Sequence, residues 1–211
     1  MAGLFITLEG PEGSGKSTQL PLLVSWLEGL GYPVLRTREP GGTRIGERIR
    51  DLVHDPQHAE MSSRTEILLY SASRAQLVAE VVRPALAEGK IVVCDRYFDS
   101  TYAYQGYGRG LSLEDLRYIT RFATGGLTPD LTLYLDLDPE VGLRRRLSGG
   151  EEMNRLDCEA LDFHRRVRAG YLELAAAEPQ RWLIIDADAT VETVRERVCA
   201  VLCSKLPTPR G

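Results

Sequence analysis

The chain has 211 residues, of which 43% are hydrophobic and 27% charged, a balance typical of one globular α/β domain. Its formal net charge of −4 disfavours binding to a polyanion such as DNA. No apolar run approaches the roughly 20 residues that span a bilayer, and no signal-peptide pattern opens the chain. We therefore expect a cytoplasmic protein that binds neither nucleic acid polymers nor membranes.

The four cysteines are predicted to be reduced thiols. Cys94, Cys158, Cys199 and Cys203 form no CxxC pair and show no metal-site spacing with histidine. Free cysteine is most often a small buried side chain, so packing is favoured over a redox or metal-binding role.

The amino-terminal segment combines a strand, a glycine-rich turn and a helix. Leu4 to Leu8 predicts a buried β-strand, and apolar residues at helical spacing from Leu20 to Leu27 predict a helix. The turn between them matches the GxxxxGKS phosphate-binding pattern, with the sequence Gly10-Pro11-Glu12-Gly13-Ser14-Gly15-Lys16-Ser17-Thr18. The flanking strand and helix argue against a chance match in a glycine-rich turn.

This turn has the chemistry of a triphosphate site. Its glycines let successive backbone N–H groups point at one anion, and the helix adds the positive end of its dipole. We predict that Lys16 contacts the β- and γ-phosphates of a nucleoside triphosphate and that Ser17 is a ligand of the accompanying Mg²⁺.

The next elements predict a parallel sheet. Residues 33–37 read as a second strand, and the order strand, helix, strand is that of a right-handed parallel crossover. The turn that follows, Thr37-Arg38-Glu39-Pro40-Gly41-Gly42-Thr43, lies at the carboxyl end of this strand, where open α/β sheets bind ligands. A helix with an apolar face follows and ends near Pro56.

A long helical pattern runs from about Ser62 to Glu88, with Pro84 as a predicted bend or boundary. Ser63 and Glu66 have the spacing of a capping box. Tyr70 and Arg74 are four residues apart and share a helix face. The pattern leaves two interpretations open for this pair: an aromatic ring packed on an arginine stem, or a site that holds a flat base by stacking and guanidinium hydrogen bonds.

The third strand, residues 90–95, ends on Asp95, which precedes Arg96. An aspartate at the tip of an apolar strand in a phosphate-loop protein typically faces the bound metal, so we predict a metal role for Asp95. Residues 98–110 then combine aromatic, hydroxyl and glycine residues, which is chemistry that suits a nucleobase.

The carboxyl-terminal half completes the predicted fold. We expect helices over 112–123, 139–147, 158–177 and 191–206, and strands over 129–136 and 182–186. Arg144, Arg145 and Arg146 lie in the second of these helices, and residues 144–156 read as a flap that closes over phosphate; the alternative for the arginines is solvated surface charge. The prediction is a single domain, residues 1–211, with a five-stranded parallel sheet in a three-layer α/β/α P-loop NTPase fold.

Five motifs in a fixed order cover about residues 4 to 190. They are the phosphate loop with Glu12, the turn Thr37 to Thr43, the helix stretch Leu69-Tyr70-Ser71-Ala72-Ser73-Arg74, Asp95-Arg96-Tyr97, and Ala103-Tyr104-Gln105-Gly106. In this combination the chain resembles the thymidylate kinase family, whose members phosphorylate dTMP to dTDP with ATP and Mg²⁺. The loop lacks an arginine and the flap has several, which is similar to the bacterial type.

The resemblance implies roles residue by residue. Residues 10–18 would bind ATP, Ser17 and Asp95 would hold the metal, and Lys16, Asp95, Arg96 and Arg155 would be catalytic. The implied dTMP site comprises Glu12, Glu39, Arg50, Tyr70, Arg74, Arg96, Thr101, Tyr104 and Gln105. Tyr70 would stack on thymine, Arg74 would bond the base, and Tyr104 would crowd the sugar 2′ position. The resemblance also implies a homodimer, through the helices that begin near Ser63 and Cys158.

Two other functions are alternatives. A deoxynucleoside kinase would share the loop and flap but needs a carboxylate base for a hydroxyl acceptor, whereas Arg38, Arg50 and Arg96 suit a monophosphate. A nucleotide-sensing module would bind without turnover. The guanine-reading NKxD and switch DxxG motifs of regulatory GTPases do not occur in the sequence.

Overall fold

The computed structural model of the protein describes residues 3–148 and 154–206. Five parallel strands form one sheet in the order β2-β3-β1-β4-β5. The strands are β1 (Leu4–Glu9), β2 (Val34–Arg38), β3 (Ile91–Asp95), β4 (Leu131–Asp136) and β5 (Trp182–Asp186). The predicted fold class, a P-loop-type α/β fold with five parallel strands, is confirmed.

Helices cover both faces of this sheet. They are α1 (Lys16–Gly29), α2 (Arg44–His54), α3 (Ser63–Leu77), α4 (Arg83–Ala87), α5 (Phe98–Thr101), α6 (Leu113–Thr124), α7 (Pro139–Ser148), α8 (Leu161–Ala177) and α9 (Val191–Cys203). A 3₁₀ turn at Pro56–His58 and two π-helical segments, Val78–Val82 and Tyr102–Gly108, join some of them. Within the described ranges, no helix combines the length and hydropathy that a membrane span requires.

The central strands separate two hydrophobic cores. Alternate side chains of a strand point to opposite faces, so Phe5 packs in one core and Ile6 and Leu8 in the other. The core with Ile6 includes apolar residues of α1 and α9. The core with Phe5 is rich in aromatic side chains from α5, the segment Tyr102–Gly108, β4, α8 and β5. Glu9 has the same parity as Phe5 and therefore points to the aromatic side.

The long helix predicted from Ser62 to Glu88 is interrupted ahead of Pro84. It consists of α3, the π-helical segment Val78–Val82 and α4. Pro84 has no N–H to donate to the preceding turn, and the helix widens just before it. The predicted capping box is wrong, because the N-cap is Ser62, whose hydroxyl accepts from the Thr65 N–H. The Glu66 side chain is buried and bonds elsewhere.

The segment after β3 differs most from expectation. Residues 98–108 are helical throughout, first as α5 and then as a π-helix, although their composition of aromatics, hydroxyls and glycine carries no helical period. This segment packs on α8 and α6, and tertiary contacts therefore stabilise a helix that local propensity does not favour.

Helix α7 contains the first residues of the predicted flap. Residues 149–153 of the predicted flap lie outside the described residues, and α7 ends at Ser148.

All four cysteines are free thiols, as predicted. Cys94 is buried, but Cys158 and Cys203 are exposed, so the expectation of buried packing is wrong for these two.

Helix α7 lies directly on the phosphate-binding loop through a glycine pair. A Cβ atom at Gly142 would clash with the carbonyl oxygen of Glu12, and one at Gly13 would clash with the carbonyl oxygen of Gly142. Both obstacles are backbone atoms, which cannot rotate away. Gly142 therefore allows the first part of the flap helix to contact the loop.

We predict that Gly142→Ala destabilises the protein, although alanine favours an isolated helix by about 1 kcal/mol over glycine. The reason is the clash with the Glu12 carbonyl, which forces α7 and the loop apart. The measurement is the free energy of unfolding in urea. Gly29→Ala is the matched control, because no atom lies within 4 Å of a Cβ at that helical position; equal stability gains in both variants would contradict the prediction.

Candidate active site

A cleft of about 700 Å³ opens at the carboxyl end of the sheet. Its walls come from the phosphate-binding loop, the ends of β2 and β3, helices α2, α3 and α7, the segment 97–105, and the turn that follows β5. The parallel topology explains this meeting, because every strand ends at the same edge.

The loop between β1 and α1 is curled around the Lys16 ammonium. Gly15, at the start of α1, has φ of 90°, a left-handed conformation that glycine adopts without strain. Lys16 Nζ donates to the carbonyls of Gly10 (2.9 Å) and Pro11 (2.8 Å) and lies 3.3 Å from Ser14 Oγ. Burial, together with the nearby Arg96 charge, lowers the pKa of Lys16 to about 8. Ser17 is exposed beside it.

Arg96 connects this loop to the rest of the cleft. Its Nη1 donates to Gly10 O (3.0 Å) and to the hydroxyls of Ser100 (3.2 Å) and Tyr171 (3.2 Å). Its backbone has φ of 63°, a left-handed conformation that is uncommon for a residue with a side chain. The chain bends there directly after β3, which points the guanidinium back over the loop.

Glu12 is the carboxylate partner of Arg96. Glu12 Oε1 accepts from Arg96 Nη2 (2.8 Å) and from the Tyr104 hydroxyl (2.9 Å). Burial alone would raise the pKa of Glu12, but the charges of Arg96 and Lys16 outweigh it and lower the pKa to about 2. The phosphate loop and the segment that follows β3 are thus joined by an ionised pair.

Glu9 lies beneath this pair. Its Oε2 accepts from the hydroxyls of Ser100 (2.6 Å) and Tyr171 (2.8 Å), which are the two hydroxyls that Arg96 also contacts. Its Oε1 accepts from the Tyr97 backbone N–H (2.8 Å), which fixes the bend after β3. Burial, with the charge of Asp99, raises the pKa of Glu9 above its ordinary value. Sequence reasoning did not assign Glu9 a role.

The far end of the cleft carries the pair predicted on α3. Tyr70 and Arg74 are both buried and both line the cleft. Arg74 Nε donates to Glu39 Oε2 (2.7 Å), and Arg74 Nη2 donates to Thr101 Oγ1 (3.0 Å). Arg74 Nη1 is buried and has no hydrogen-bond partner among the described residues. Such an atom is a donor available to a ligand.

Helix α2 contributes an arginine and a histidine to the site. Arg50 Nη1 donates to the Pro40 carbonyl (3.1 Å), and His54 is the last residue of the helix. Both side chains line the cleft. Burial and the charge of Arg50 lower the pKa of His54 to about 4, so this ring is neutral at physiological pH.

The flap arginines point in different directions. Arg145 Nη1 donates to Ala187 O (3.2 Å), beside the turn that follows β5, and Arg146 Nε donates to Asp157 Oδ2 (2.8 Å). Both line the cleft. Arg155 does not: it is buried against Val53 O and Glu66 Oε2, beside a separate small pocket.

Asp95 and Ser17 could hold a metal together with phosphate oxygens. Asp95 lines the cleft at the end of β3, and its Oδ1 is buried without a hydrogen-bond partner among the described residues. Within that part of the chain, no three His, Cys, Asp or Glu side chains come together as a metal site.

The cleft brings together most of the residues predicted from the sequence. Those that line it are Glu12, Gly13, Ser14, Gly15, Lys16, Ser17, Thr18, Glu39, Arg50, Tyr70, Arg74, Asp95, Arg96, Thr101, Tyr104 and Gln105. Gly10 and Pro11 supply loop carbonyls behind Lys16, and Arg155 lies outside. Sequence reasoning did not single out six other lining residues, namely His54, Ser100, Ala187, Ala189, Thr190 and Val191. The four residues between 187 and 191 directly follow strand β5, and this position at the carboxyl edge of the sheet could have identified them as ligand-binding.

Comparison with known proteins gives consistent results. The family model described as Thymidylate kinase matches residues 8–198. The chain is 56% identical to the thymidylate kinase of Roseiflexus castenholzii, over 94% of this chain and 92% of that protein. It is also 56% identical to that of Deinococcus radiodurans, over 96% and 98%. The crystal structure of thymidylate kinase from Ehrlichia chaffeensis is similar with a TM-score of 0.80 and 32% identity, over 96% of this chain and 100% of that one.

We predict that His54→Gln makes the free energy of unfolding less dependent on pH below pH 6.5. Between pH 6.5 and about 4 the unfolded chain takes up a proton that the folded protein excludes, because the pKa of His54 is lowered on folding. The free energy of unfolding of the original protein therefore falls with decreasing pH, by roughly 1 kcal/mol per pH unit from this group. Urea unfolding from pH 4.5 to 7.5 measures it.

Above pH 6.5 the difference between the two proteins should be constant, which is the internal control. Parallel profiles over the whole range would show that His54 is not the source of the slope.

Proposed function

The chain belongs to the thymidylate kinase family and transfers the γ-phosphoryl group of ATP to dTMP; on that premise we propose a role for each part of the cleft. One observation carries the proposal: Arg96 bonds the phosphate loop at Gly10 and Glu12, while Arg74, which lines the same cleft as Tyr70, bonds the carbonyl of the residue after Arg96. Donor and acceptor nucleotides therefore meet at Arg96. The comparisons do not favour a deoxynucleoside kinase or a non-catalytic sensing module.

ATP binds at the phosphate loop, residues 10–18. Lys16 exchanges the carbonyls of Gly10 and Pro11 for β- and γ-phosphate oxygens, and the N-terminus of α1 supplies backbone N–H donors. The adenine lies toward Arg145 and the turn after β5. Arg145 is held there by its bonds to Ala187 O and Asp188 Oδ1.

The acceptor dTMP occupies the opposite end. Arg96 and Arg50 hold its phosphate, Tyr70 stacks on thymine, and Arg74 donates to the base through Nη1. Tyr104, Thr101 and Gln105 complete the pocket around sugar and base. Glu12 and Glu39 act by orienting Arg96 and Arg74, with which they form buried or half-buried ion pairs.

Mg²⁺ fits Ser17 and Asp95, because the Asp95 Oδ1 atom has no hydrogen-bond partner within residues 3–148 and 154–206 and Ser17 is exposed. The ion, when bound, neutralises charge on the transferring phosphoryl group. The residues of the chain do the remaining work: Lys16 and Arg96 bring two anions together and hold them in line. The acceptor oxygen is already anionic, so no general base is required.

Arg146 is proposed as the flap arginine at the phosphates, in place of Arg155. Arg146 lines the cleft, and its charge lowers the pKa of Glu12. Arg155 is buried in a separate ion pair with Glu66, and its Nε donates to Val53 O. We therefore assign Arg155 the role of anchoring the flap to α2 and α3.

The protein is further proposed to be a cytoplasmic homodimer. The four free thiols fit a reducing compartment. Large apolar side chains are exposed on the adjacent helices α3 and α6: Leu68 (58%), Tyr118 (78%) and Phe122 (87%). A second copy would cover such a face. The apolar side of α8 already packs in the core, so the α8 interface implied by the resemblance gains no support.

We predict that Arg146→Ala lowers kcat by about a thousandfold, because the transition state loses a positive charge on the transferring group. Arg155→Ala should lower the melting temperature and leave most of kcat. Steady-state kinetics with ATP and dTMP, together with thermal unfolding, separate the two effects. Arg144→Ala is the matched control, since this arginine is exposed on the same helix and does not line the cleft.

The opposite result would be a stable Arg155→Ala protein whose kcat is lower by about a thousandfold, together with nearly normal turnover in Arg146→Ala. That result would identify Arg155 as the flap arginine at the phosphates.

We predict that Phe122→Asp converts the protein to a monomer, because the aspartate charge would be buried between the two copies, where the second copy covers α3 and α6. Sedimentation velocity at micromolar protein measures the mass. Leu30→Asp, at an exposed leucine after α1, should leave the mass unchanged. An original protein that sediments as a monomer would refute the proposed dimer.

A further inference from the structure

We infer that Glu66 is a positioning residue that sets the orientation of the Gln105 side-chain amide and so contributes to the preference for thymine over cytosine. The inference deepens the proposed function, since it rests on Gln105 facing the base. Glu66 itself does not line the cleft.

Glu66 is a buried carboxylate with four donors around it. Its Oε1 accepts from Gln105 Nε2 (2.8 Å) and Arg109 Nε (3.0 Å), and its Oε2 accepts from Arg109 Nη2 (3.2 Å) and Arg155 Nη2. Its side chain is completely buried. Burial alone would raise the pKa of Glu66, but the bonds from Arg109 and Gln105 lower it overall. At neutral pH this group is an ionised acceptor.

An ionised carboxylate can only accept, which leaves Gln105 one orientation. The amide NH₂ must face Glu66, and the carbonyl oxygen Oε1 must face the other way. Among the described residues, Glu66 is the only hydrogen-bond partner of the Gln105 side chain. Gln105 is buried and lines the cleft, so the polar atom that it turns to the cleft is an acceptor.

The acceptor on Gln105 and the donor on Arg74 complement the hydrogen-bonding groups of thymine but not those of cytosine. Thymine presents an N3–H donor next to the O4 acceptor, whereas cytosine presents an N3 acceptor next to an amino donor. The guanidinium of Arg74 can only donate. With Gln105 Oε1 fixed toward the base, thymine satisfies both groups, and cytosine leaves both without a partner.

A neutral residue at position 66 would remove this constraint. In Glu66→Gln the introduced amide both donates and accepts, so Gln105 can present either its carbonyl or its NH₂ to the base. The flipped amide suits the cytosine N3 atom. The variant should therefore accept dCMP better and dTMP less well, mainly through KM, because the reacting phosphates are not altered.

The test compares kcat/KM for dTMP and dCMP in Glu66→Gln and in the original protein. We expect the dTMP/dCMP ratio to fall about tenfold, the loss associated with one buried hydrogen bond. Arg109→Gln is the matched control, because it removes two donors from the same carboxylate but leaves the acceptor that faces Gln105. It should lower the melting temperature and keep the ratio. A folded Glu66→Gln protein with an unchanged ratio would overturn the inference.

The double variant Glu66→Gln/Gln105→Glu provides a second test, which also holds if the single variant does not fold. The exchange conserves the total charge of the two positions. The amide introduced at position 66 donates to the carboxylate introduced at position 105, and the second oxygen of that carboxylate faces the base as an acceptor. Discrimination should recover toward the original ratio. Continued loss of discrimination in a folded double variant would contradict the inference.

Gln105→Ala separates this inference from the proposed site. An unchanged ratio in Gln105→Ala would show that Gln105 does not read the base, which refutes that part of the proposed function. A lower ratio in Gln105→Ala with an unchanged ratio in Glu66→Gln would keep the proposed site and refute the role of Glu66 alone.

Discussion

The ion pair between Arg96 and Glu12 determines how this cleft is organised. It joins the phosphate loop to the residue that follows β3, two segments far apart in the sequence that parallel pairing of β1 and β3 brings side by side. The guanidinium also bonds the Gly10 carbonyl and two hydroxyls anchored on Glu9. Its orientation is therefore fixed on folding, and binding of two anionic substrates need not provide that ordering free energy.

Carboxylates also hold three other arginines of the cleft. Arg74 is paired with Glu39, Arg38 with Glu47, and Arg146 with Asp157. Each carboxylate fixes one side of a guanidinium, which limits the donors left for a ligand. This arrangement lets a chain with a net charge of −4 place several arginines around one cleft, because carboxylate partners compensate part of their charge.

The sequence predicted the sheet and the position of the glycine loop between β1 and α1, because both depend on local signals. Apolar runs identify parallel strands buried on both faces, and the glycine pattern constrains the loop backbone directly. The segment 98–108 was not predicted as a helix, because its π-helical form depends on packing against α6 and α8. Proline at position 84 indicated a boundary, but not the π-helical turn that precedes it.

Side-chain direction was the part that sequence could not supply. Arg146 and Arg155 flank the same flap, and a motif alone favours the one in the matching position. Only the folded chain places Glu66 opposite Arg155, through contacts between residues 89 positions apart. The same carboxylate was assigned to a helix cap on spacing alone, although its position on the buried face of α3 makes it unavailable there. A buried charge is costly unless it is paired and hydrogen-bonded. The partners of Glu66 are two arginines and an amide from other segments of the chain.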